Sequence, residues 1–462
     1  MTLHGRNSDF PVNIKTSTII KCNKIAFVAL CILLVDCSVS GSGHWLIIGS
    51  FSLRIICGLI GLVFSIPSFL INWKKNLKNY SFVSIALFII ILLINAYIGI
   101  SKNYRVSLIF TDLRGFSWLG AIIIASSVID SRKRIIILMK CIVFGGILQA
   151  LLINTAYFLL VFNDESFPKI YNYVSSRGFS SINPISTTIF RISTGSIIYL
   201  PITIILLYYF SITEEYKIIP LVFSPILIFS LLISFTRSSY GATFLSVVYL
   251  FLALIIFKKN FEVDMRTIII KFIQIILCSV FYISIVGIII GDNLVEYALL
   301  RSFPSLYTKF FNSLAGTSVS TSVSTSGEYS YIIKTIESDS LRAVTVMELW
   351  EAIKVNPIFG NGLGHSIKSR GDGLVEYFYM DLLAKTGIIG LVLFSFPFFN
   401  SVYQMSKIKK DTLLKIFLVS GLVVIFSASY FNPYLNTSLG IIYYSFVVAV
   451  VQLEYSNVDD IG

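Results

Sequence analysis

Long apolar runs recur from one end of this chain to the other, and they restrict its fold more than any other feature. A run of about 18 or more nearly uncharged residues can cross the roughly 30 Å hydrocarbon layer of a membrane as one helix. Only 13% of the 462 residues are charged and 56% are hydrophobic, whereas a soluble domain carries about 25% charged residues. The sequence therefore predicts an all-α, polytopic integral membrane protein.

We expect about twelve membrane spans, with one long polar loop between the ninth and the tenth. A cytoplasmic segment at 1–24 precedes spans one to nine within 25–291, and the loop occupies 292–373. The last three spans follow within 374–453, and 454–462 forms a tail. The individual spans are predicted near 25–40, 45–71, 81–100, 112–130, 135–162, 187–210, 218–234, 240–257, 268–291, 374–400, 412–430 and 437–453.

Lysine and arginine in the short connections set the predicted orientation, because positively charged loops stay in the cytoplasm. Connections predicted on one side carry several of these residues each, whereas on the other side the turns at 41–44 and 431–436 carry none and the turn at 101–105 carries two. The basic connections lie at 6–24, 74–78, 132–134, 258–266 and 407–410. We therefore expect both termini in the cytoplasm and the long loop on the non-cytoplasmic side.

The net charge of +12 follows this topology and does not indicate a nucleic-acid partner. The predicted cytoplasmic charges are mostly lysine, whereas the other half of the molecule is rich in arginine. Those arginines are Arg105, Arg114, Arg177, Arg191, Arg237, Arg301, Arg342 and Arg370. A guanidinium group suits bidentate binding of phosphate or carboxylate, so their distribution favours an anionic ligand. The six cysteines lie in or beside apolar runs, without the spacing of a metal site or a disulfide framework.

The long loop divides into three parts. Residues 317–326 are a low-complexity Ser/Thr/Val tract, and 328–355 show the apolar spacing of an amphipathic helix. Pro357 should end that helix, and the glycine-rich stretch 360–364 follows it. Two interpretations of this stretch stay open: a tight turn in which glycine supplies positive φ, or a turn whose backbone amides approach an anionic group.

Residues 342–364 read RAVTVMELWEAIKVNPIFGNGLG, and residues 376–390 read EYFYMDLLAKTGIIG. Together they resemble the carboxy-terminal signature of the bacterial O-antigen polymerase and O-antigen ligase family, in its order and spacing. The matching positions are Trp350, Pro357, Gly360, Gly362, Gly364, Tyr379, Leu382, Leu383, Gly387 and Gly390. Residues 177–183 (RGFSSIN) and 234–241 (SFTRSSYG) resemble two further segments of that family, so the resemblance covers roughly 175–395.

The resemblance implies glycosyl transfer on the periplasmic face of a bacterial inner membrane. A glycan would move from undecaprenyl pyrophosphate to a sugar hydroxyl of a second lipid-linked repeat unit. The implied partners are that lipid-linked oligosaccharide and the bilayer, and a membrane protein that regulates chain length is a further candidate. The predicted outer segments lack the paired Asp-x-Asp of metal-dependent glycosyltransferases, so we expect neither a metal ion nor another cofactor.

The same resemblance suggests roles for individual residues. Arg177 and Arg237 are the first candidates to hold the pyrophosphate, and Glu376 is the candidate general base. Further substrate-binding candidates are Arg342, Arg114, Arg370, His365, Gly362 and Gly364. Ligases of the family carry a catalytic histidine where this chain has Glu376, which favours a polymerase.

Each of these residues also has a purely structural interpretation. The arginines are alternatively interfacial or ion-paired side chains, and Glu376 alternatively pairs with Arg370. Asp112 and Arg114 could neutralise each other, Asp381 could pair with an arginine, His365 could be a turn residue, and Asp372 is a second candidate base. Three other functions are considered as well: an O-antigen ligase, a lipid-linked glycan flippase or transporter, and a non-catalytic scaffold.

Overall fold

A computed structural model of the chain describes twelve stretches of it. They are residues 16–41, 47–48, 51–163, 167–176, 180–185, 189–213, 215–291, 295, 298, 326–371, 375–407 and 411–452. Several predictions therefore lie outside the described residues. They concern Arg177, Arg301, Asp372, the tract 317–325, the segment 1–15 and the tail 454–462.

Helices make up nearly all of the regular structure in these stretches. In chain order they are α1 (Thr16–Val39), α2 (Leu53–Ile71), α3 (Trp73–Leu77), α4 (Tyr80–Ser101), α5 (Val106–Phe116), α6 (Ala121–Val128), α7 (Arg132–Phe162), α8 (Phe167–Ser176), α9 (Tyr199–Ile212), α10 (Ile219–Ile233), α11 (Arg237–Ile256), α12 (Met265–Ile290), α13 (Ser326–Val355), α14 (Phe378–Lys407), α15 (Thr412–Ala428) and α16 (Ser438–Gln452). Two antiparallel hairpins complete it, β1 (Ile47–Ile48) with β2 (Phe51–Ser52) and β3 (Ser180–Pro184) with β4 (Phe190–Thr194).

Eight helical segments of the described chain are long and apolar enough to cross a membrane: α1, α2, α4, α5 with α6, α7, α11, α12 and α14. The predicted polytopic all-α architecture is confirmed at this level. The helices α9, α10, α15 and α16 are apolar but only 14 to 17 residues long, which corresponds to roughly 21–26 Å of rise. The predicted count of about twelve spans therefore stays a prediction.

The outer helices present apolar side chains to their surroundings. Leu93 on α4 is 60% exposed, and Phe281 and Ile288 on α12 are 68% and 81% exposed. Such a continuous apolar exterior is unfavourable in water but matches a hydrocarbon solvent. This exterior supports the assignment of the helices to a membrane.

The short helices α9, α15 and α16 form the centre of the bundle. Nearly every side chain of α9 is buried, as are nearly all those of α15, and α15 packs against α9, α11 and α16. A helix that is hydrophobic on all sides is expected at such a central position. Tyr199, Tyr209, Tyr443 and Tyr444 are among the largest fully buried side chains.

Two predicted spans begin later than the sequence suggested. The span predicted at 45–71 begins as a helix at Leu53, after the β1–β2 hairpin. The Ser52 hydroxyl caps this helix by accepting a hydrogen bond from the Ile55 amide. The span predicted at 187–210 begins as a helix only at Tyr199. Its first part is strand β4, because β-branched residues there pair with β3. Hydropathy alone does not distinguish a buried strand from the first turns of a helix.

A buried ion pair joins the ends of α1 and α2 that lie on the same side as α13, which we call the loop side. Arg54 Nε lies 2.7 Å from Asp36 Oδ2, and both side chains are 5% exposed. The Arg54 guanidinium also donates to the Ser438 hydroxyl at 2.7 Å and the Ser40 carbonyl at 2.6 Å. These bonds use all three guanidinium nitrogens, so the pair acts as a structural tie between α1, α2 and α16.

Helix α14 is broken about two and a half turns from its loop-side end. Gly387 has φ 67° and ψ −175°, a conformation outside the helical region. The segment that follows α13 fills the break: the Ile388 amide donates to the Pro357 carbonyl at 2.9 Å, and the Asn361 amide donates to the Ala384 carbonyl at 2.8 Å. Backbone groups freed within a membrane need such protein partners, because no water is available there.

The glycine stretch 360–364 is wedged between α14, α4 and α5. Gly360, Gly362 and Gly364 have φ values of +80°, +98° and +79°. A Cβ at Gly360 would lie 2.3 Å from the Lys385 carbonyl carbon, and a Cβ at Gly364 would lie 2.7 Å from Ile109 Cγ1. The tight-turn interpretation therefore describes the backbone here, with glycine required both by φ and by close approach.

The break in α14 predicts a large effect of one methyl group. We expect Gly387→Ala to destabilise the protein, since the left-handed backbone alone costs about 1–3 kcal/mol with a Cβ. The new Cβ would also lie 2.1 Å from the Ile358 carbonyl oxygen. Gly241→Ala is the matched control, because nothing lies within 4 Å of its Cβ position in α11. Thermal unfolding of the detergent-purified variants measures both effects, and equal melting temperatures would contradict this account.

Cysteine labelling tests the four short helices. In a chain without its six native cysteines, Phe431→Cys should react with an impermeant maleimide from the loop side. Lys217→Cys, between α9 and α10, should react only after the membrane is opened. Ser101→Cys and Lys259→Cys, which flank long spans, give the two reference patterns. Labelling of Lys217→Cys from the loop side would show that α9 and α10 do not cross.

Candidate functional site

The loop helix α13 lies against the loop-side end of α14. Leu349 and Ile353 bury their side chains in a small apolar cluster with four residues from the following segment and α14: Ile367, Val375, Tyr377 and Ala384. Polar contacts fasten the same face, because Glu348 accepts the Ser369 amide at 2.9 Å. Hydrogen bonds from the backbone amide and the hydroxyl of Ser369 lower the pKa of Glu348. A helix is thus present where the sequence predicted one, and Leu349 and Ile353 define its inner face, whereas Leu341 and Val344 are exposed.

Two arginines and one carboxylate meet at the edge of this contact. Glu376 Oε2 accepts from Arg342 Nε at 2.9 Å and lies 3.3 Å from Arg370 Nη2. Arg370 Nε also lies 3.3 Å from the Thr345 hydroxyl on α13. The side chain of Arg342 is 34% exposed, that of Arg370 is 18% exposed and that of Glu376 is 29% exposed. We call Arg342, Arg370 and Glu376 the arginine cluster.

A third arginine approaches the arginine cluster from the β3–β4 hairpin. Arg191 Nε donates to the Ser234 carbonyl at 3.1 Å. Burial lowers the pKa of Arg191, and the positive charge of Arg342 lowers it further. The hairpin, the turn at 234–241 and the loop helix therefore converge on one place. Arg237 begins α11 in that turn and is half-buried.

A buried charged triad lies deeper, between α5 and α14. Lys385 Nζ is 2.8 Å from Asp112 Oδ1 and 2.9 Å from Asp381 Oδ2, and all three side chains are about one-tenth exposed or less. Asp112 Oδ2 accepts the Gly364 amide at 2.8 Å. The triad thus ties the glycine stretch to two helices. Charges at this depth are costly unless they are paired, which explains the compact arrangement.

An open cleft lies beside the triad, with about 350 Å³ of empty space that is partly continuous with solvent. Its walls come from α5, the segment after the glycine stretch and α14. The lining residues are Leu108, Thr111, Asp112, Gly364, His365, Ser366, Ile367, Gly371, Val375 and Lys385. The His365 ring packs edge-on against Tyr104, with ring centroids 5.9 Å apart.

The backbone amides of residues 360–364 already have protein acceptors. Gly362 donates to the Lys385 carbonyl at 3.0 Å and Leu363 to the Asn95 carbonyl at 2.9 Å, while Gly364 donates to Asp112. An anion bound by these amides would have to displace bonds that close the break in α14. Substrate binding at Gly362 and Gly364 stays a prediction, and their observed contacts are structural.

The predicted site residues fall into two groups. Arg342, Arg370 and Glu376 contact one another, and Arg237 lies in the turn that Arg191 contacts. His365, Gly364 and Gly362 lie instead at the cleft and its glycine wall. Arg114 is exposed on α5, and the alternative in which Asp112 pairs with Arg114 is wrong because Asp112 pairs with Lys385. Asp381 likewise pairs with Lys385 and not with an arginine.

Lys385 is the residue that sequence reasoning missed. Its signal was present, since Asp381 stands four residues earlier on the same helix, where opposite charges pair. The sequence did not predict that Asp112 also contacts Lys385, because that contact depends on how α5 packs against α14. Within the described stretches, His, Cys, Asp and Glu side chains form no group of three that could hold a metal ion.

Lys385 should be essential for stability. We expect Lys385→Met to lower the free energy of unfolding by about 3–5 kcal/mol, because it leaves two buried carboxylates without their cation. The triple variant Lys385→Met, Asp112→Asn, Asp381→Asn should recover much of that loss. Lys354→Met serves as the control, because that side chain is 55% exposed and should change stability by less than about 0.5 kcal/mol. Thermal unfolding in detergent measures all three, and a stable single variant would contradict the role of the triad.

Comparisons with known proteins do not name a family for this chain. No protein-family model matches it, and no curated protein matches it at a significant level.

Proposed function

We propose that this protein is a polymerase of a surface polysaccharide, such as an O-antigen. It would transfer a growing glycan from undecaprenyl pyrophosphate to a lipid-linked repeat unit on the periplasmic face of the inner membrane. The observation that carries the proposal is the arginine cluster at the loop-side ends of apolar helices, with Arg191 near it and Arg237 in the turn that Arg191 contacts. The resemblance in 342–364 includes Arg342 of the same cluster, and Glu376 stands where ligases of that family carry a histidine.

The arginine cluster and the neighbouring Arg191 together suit a pyrophosphate at the membrane surface. Arg191, Arg342 and Arg370 with Glu376 give three positive charges and one negative, a net charge of +2. Like charges held together attract an anion, and guanidinium groups match phosphate oxygens bidentately. An undecaprenyl chain would lie along the apolar exterior while its pyrophosphate reached the arginines at the helix ends.

The chemistry needs positive charge at this place. When the glycosidic bond to pyrophosphate breaks, negative charge develops on the leaving phosphate oxygen. Donors that are already oriented toward that oxygen lower the barrier without reorganising, and removing one typically costs 10²–10³-fold in rate. Arg342 and Arg370 are oriented in this way by their bonds to Glu376 and Thr345.

Glu376 fits a positioning role in this site. One of its oxygens already holds two guanidinium groups, and taking up a proton would weaken both ion pairs. We therefore assign to Glu376 the orientation of Arg342 and Arg370. Its predicted role as the general base is replaced by this assignment in the proposed mechanism.

Loss of the arginines should abolish long chains. We expect Arg237→Ala and Arg342→Ala each to reduce polymer formation by about 100-fold or more, with normal amounts of protein in the membrane. Arg342→Lys should restore little, because an ammonium group lacks the planar fork. Arg266→Ala is the control, since Arg266 is exposed at the opposite end of the bundle. Glycan ladders from cells that carry each variant give the measurement.

The ladder also separates the alternatives. In cells that lack the activity of this protein, single repeat units on lipid A core, without longer chains, indicate that the lost activity is that of a polymerase. Polymerised glycan that remains on its lipid carrier indicates a ligase, and repeat units trapped on the cytoplasmic face indicate a flippase. Full-length polymer in both arginine variants would overturn the pyrophosphate role of the cluster.

A further inference from the structure

An exposed apolar turn follows the loop helix and takes no part in the candidate site. Helix α13 ends at Val355, and the chain turns through Pro357 before it reaches the buried glycine stretch. Val355 is 76% exposed, Ile358 is 52% exposed and Phe359 is 55% exposed, and Pro357 is exposed as well. We call residues 355–359 the apolar turn. Adjacent exposed apolar side chains of this size mark a surface that contacts a membrane or another protein.

Hydrogen bonds to two membrane helices set the depth of this part of the chain. The Ile388 amide donates to the Pro357 carbonyl at 2.9 Å, and Ile388 lies ten positions, roughly 15 Å, into α14. The Leu363 amide donates to the Asn95 carbonyl at 2.9 Å, and Asn95 lies six positions, roughly 9 Å, below the loop-side end of α4. Because the 22 residues of α4 are about as long as the hydrocarbon layer is thick, both contacts lie within that layer.

The apolar turn continues the exposed side of α14. That side is a stripe of apolar residues at helical spacing, namely Ile388, Val392, Phe396, Phe399 and Tyr403. The stripe begins at the residue whose amide binds the turn. The side chains of the turn are therefore exposed beside a surface that itself matches hydrocarbon, and they extend it toward the loop side.

The backbone of the apolar turn is compatible with a lipid environment because its carbonyl groups bond to protein. Two amides of α14 donate to the carbonyls of Pro357 and Ile358, at 2.9 and 3.4 Å. The Gly360 amide donates to the Asn356 carbonyl at 3.0 Å, and the Asn356 side-chain amide donates to the Gly360 carbonyl at 2.7 Å. Backbone groups at membrane depth need such partners, whereas a turn in water bonds to solvent.

A charged pair directly before the turn indicates the level of the membrane surface. Lys354 Nζ lies 2.8 Å from Glu351 Oε1, and both side chains are largely exposed. Long charged side chains near a membrane extend toward the headgroups and the water. The change from charged to apolar residues between Lys354 and Val355 thus coincides with the point at which the chain descends to Pro357.

We propose that the apolar turn inserts into the loop-side leaflet of the bilayer and packs against the acyl chains of phospholipids. The end of the long loop is then a re-entrant element, although the sequence predicted 292–373 to lie outside the membrane. Insertion fixes the height of α13, which carries Arg342 thirteen positions, roughly 20 Å, before Val355. This contact with lipid does not depend on which reaction the protein catalyses.

Spin labels report which solvent surrounds the apolar turn. The full-length chain without its native cysteines is reconstituted in nanodiscs of phosphatidylcholine alone. A label at Phe359→Cys should collide more often with oxygen, which partitions into lipid, than with a water-soluble nickel chelate. Val392→Cys on α14 is the lipid reference and Lys354→Cys is the water reference, and power saturation measures both collision rates. A preference for nickel at Phe359→Cys, as at Lys354→Cys, would overturn the proposal.

Photo-crosslinking in intact cells identifies the neighbour of the turn. A benzoylphenylalanine introduced in place of Phe359 should give an adduct with the mass of the protein plus one phospholipid. The same group in place of Glu351 should give no lipid adduct, because that side chain is 71% exposed on the charged side of α13. An adduct with another protein at Phe359, in place of the lipid adduct, would show that the turn is a protein interface and would overturn the proposal.

Polar replacement tests whether insertion fixes α13. Ile358→Asn combined with Phe359→Asn should increase the mobility of a spin label at Met347→Cys, an exposed position on α13. Glu351→Gln combined with Lys354→Gln is the matched control and should leave that mobility unchanged. Equal mobility in the two double variants would show that the turn does not hold the helix, whereas the collision rates and the crosslinked mass decide the lipid contact itself.

Discussion

The exchange of backbone hydrogen bonds at Gly387 is the constraint on which the rest of this region depends. Helix α14 gives up its own bonds there, and residues 357–362 replace them with carbonyl and amide groups of matching position. The replacement holds the glycine stretch at membrane depth, which in turn sets His365 beside the cleft and carries the chain back to Arg370. The two parts of the family-like signature are therefore in direct contact, which gives a physical reason for both to occur together.

The fold class was predictable because it depends on quantities that add along the sequence. Run length and charge fraction give the membrane assignment, and the Pro357 and glycine signals correctly placed the end of α13 and a turn with positive φ. The break in α14 was not predictable, since the run around Gly387 is as apolar as an unbroken span. The late start of α9 at Tyr199 was hidden for the same reason.

The candidate site was predictable only in its residue types. The arginines on the predicted outer side favoured an anionic ligand in the sequence analysis, and Arg342, Arg370 and Glu376 do contact one another. Which charges pair, however, depends on packing between distant helices. Asp112 and Lys385 are 273 positions apart, so the sequence offered Arg114 as the nearer but wrong partner. The alternative in which Glu376 pairs with Arg370 is confirmed. Arg342 also contacts Glu376, because α13 packs beside it.

The long separation of Asp112 from Lys385 has a consequence for biosynthesis. The ribosome delivers α5 well before α14, so during translation the Asp112 carboxylate must enter the membrane region without its cation. An unpaired charge in hydrocarbon has an unfavourable free energy, so we expect the insertion of α5 to be stable only after α14 has joined it. We expect premature termination anywhere between them to yield a product that cellular quality control removes. Stable insertion of α5 thus depends on the carboxy-terminal third of the chain, which supplies Lys385.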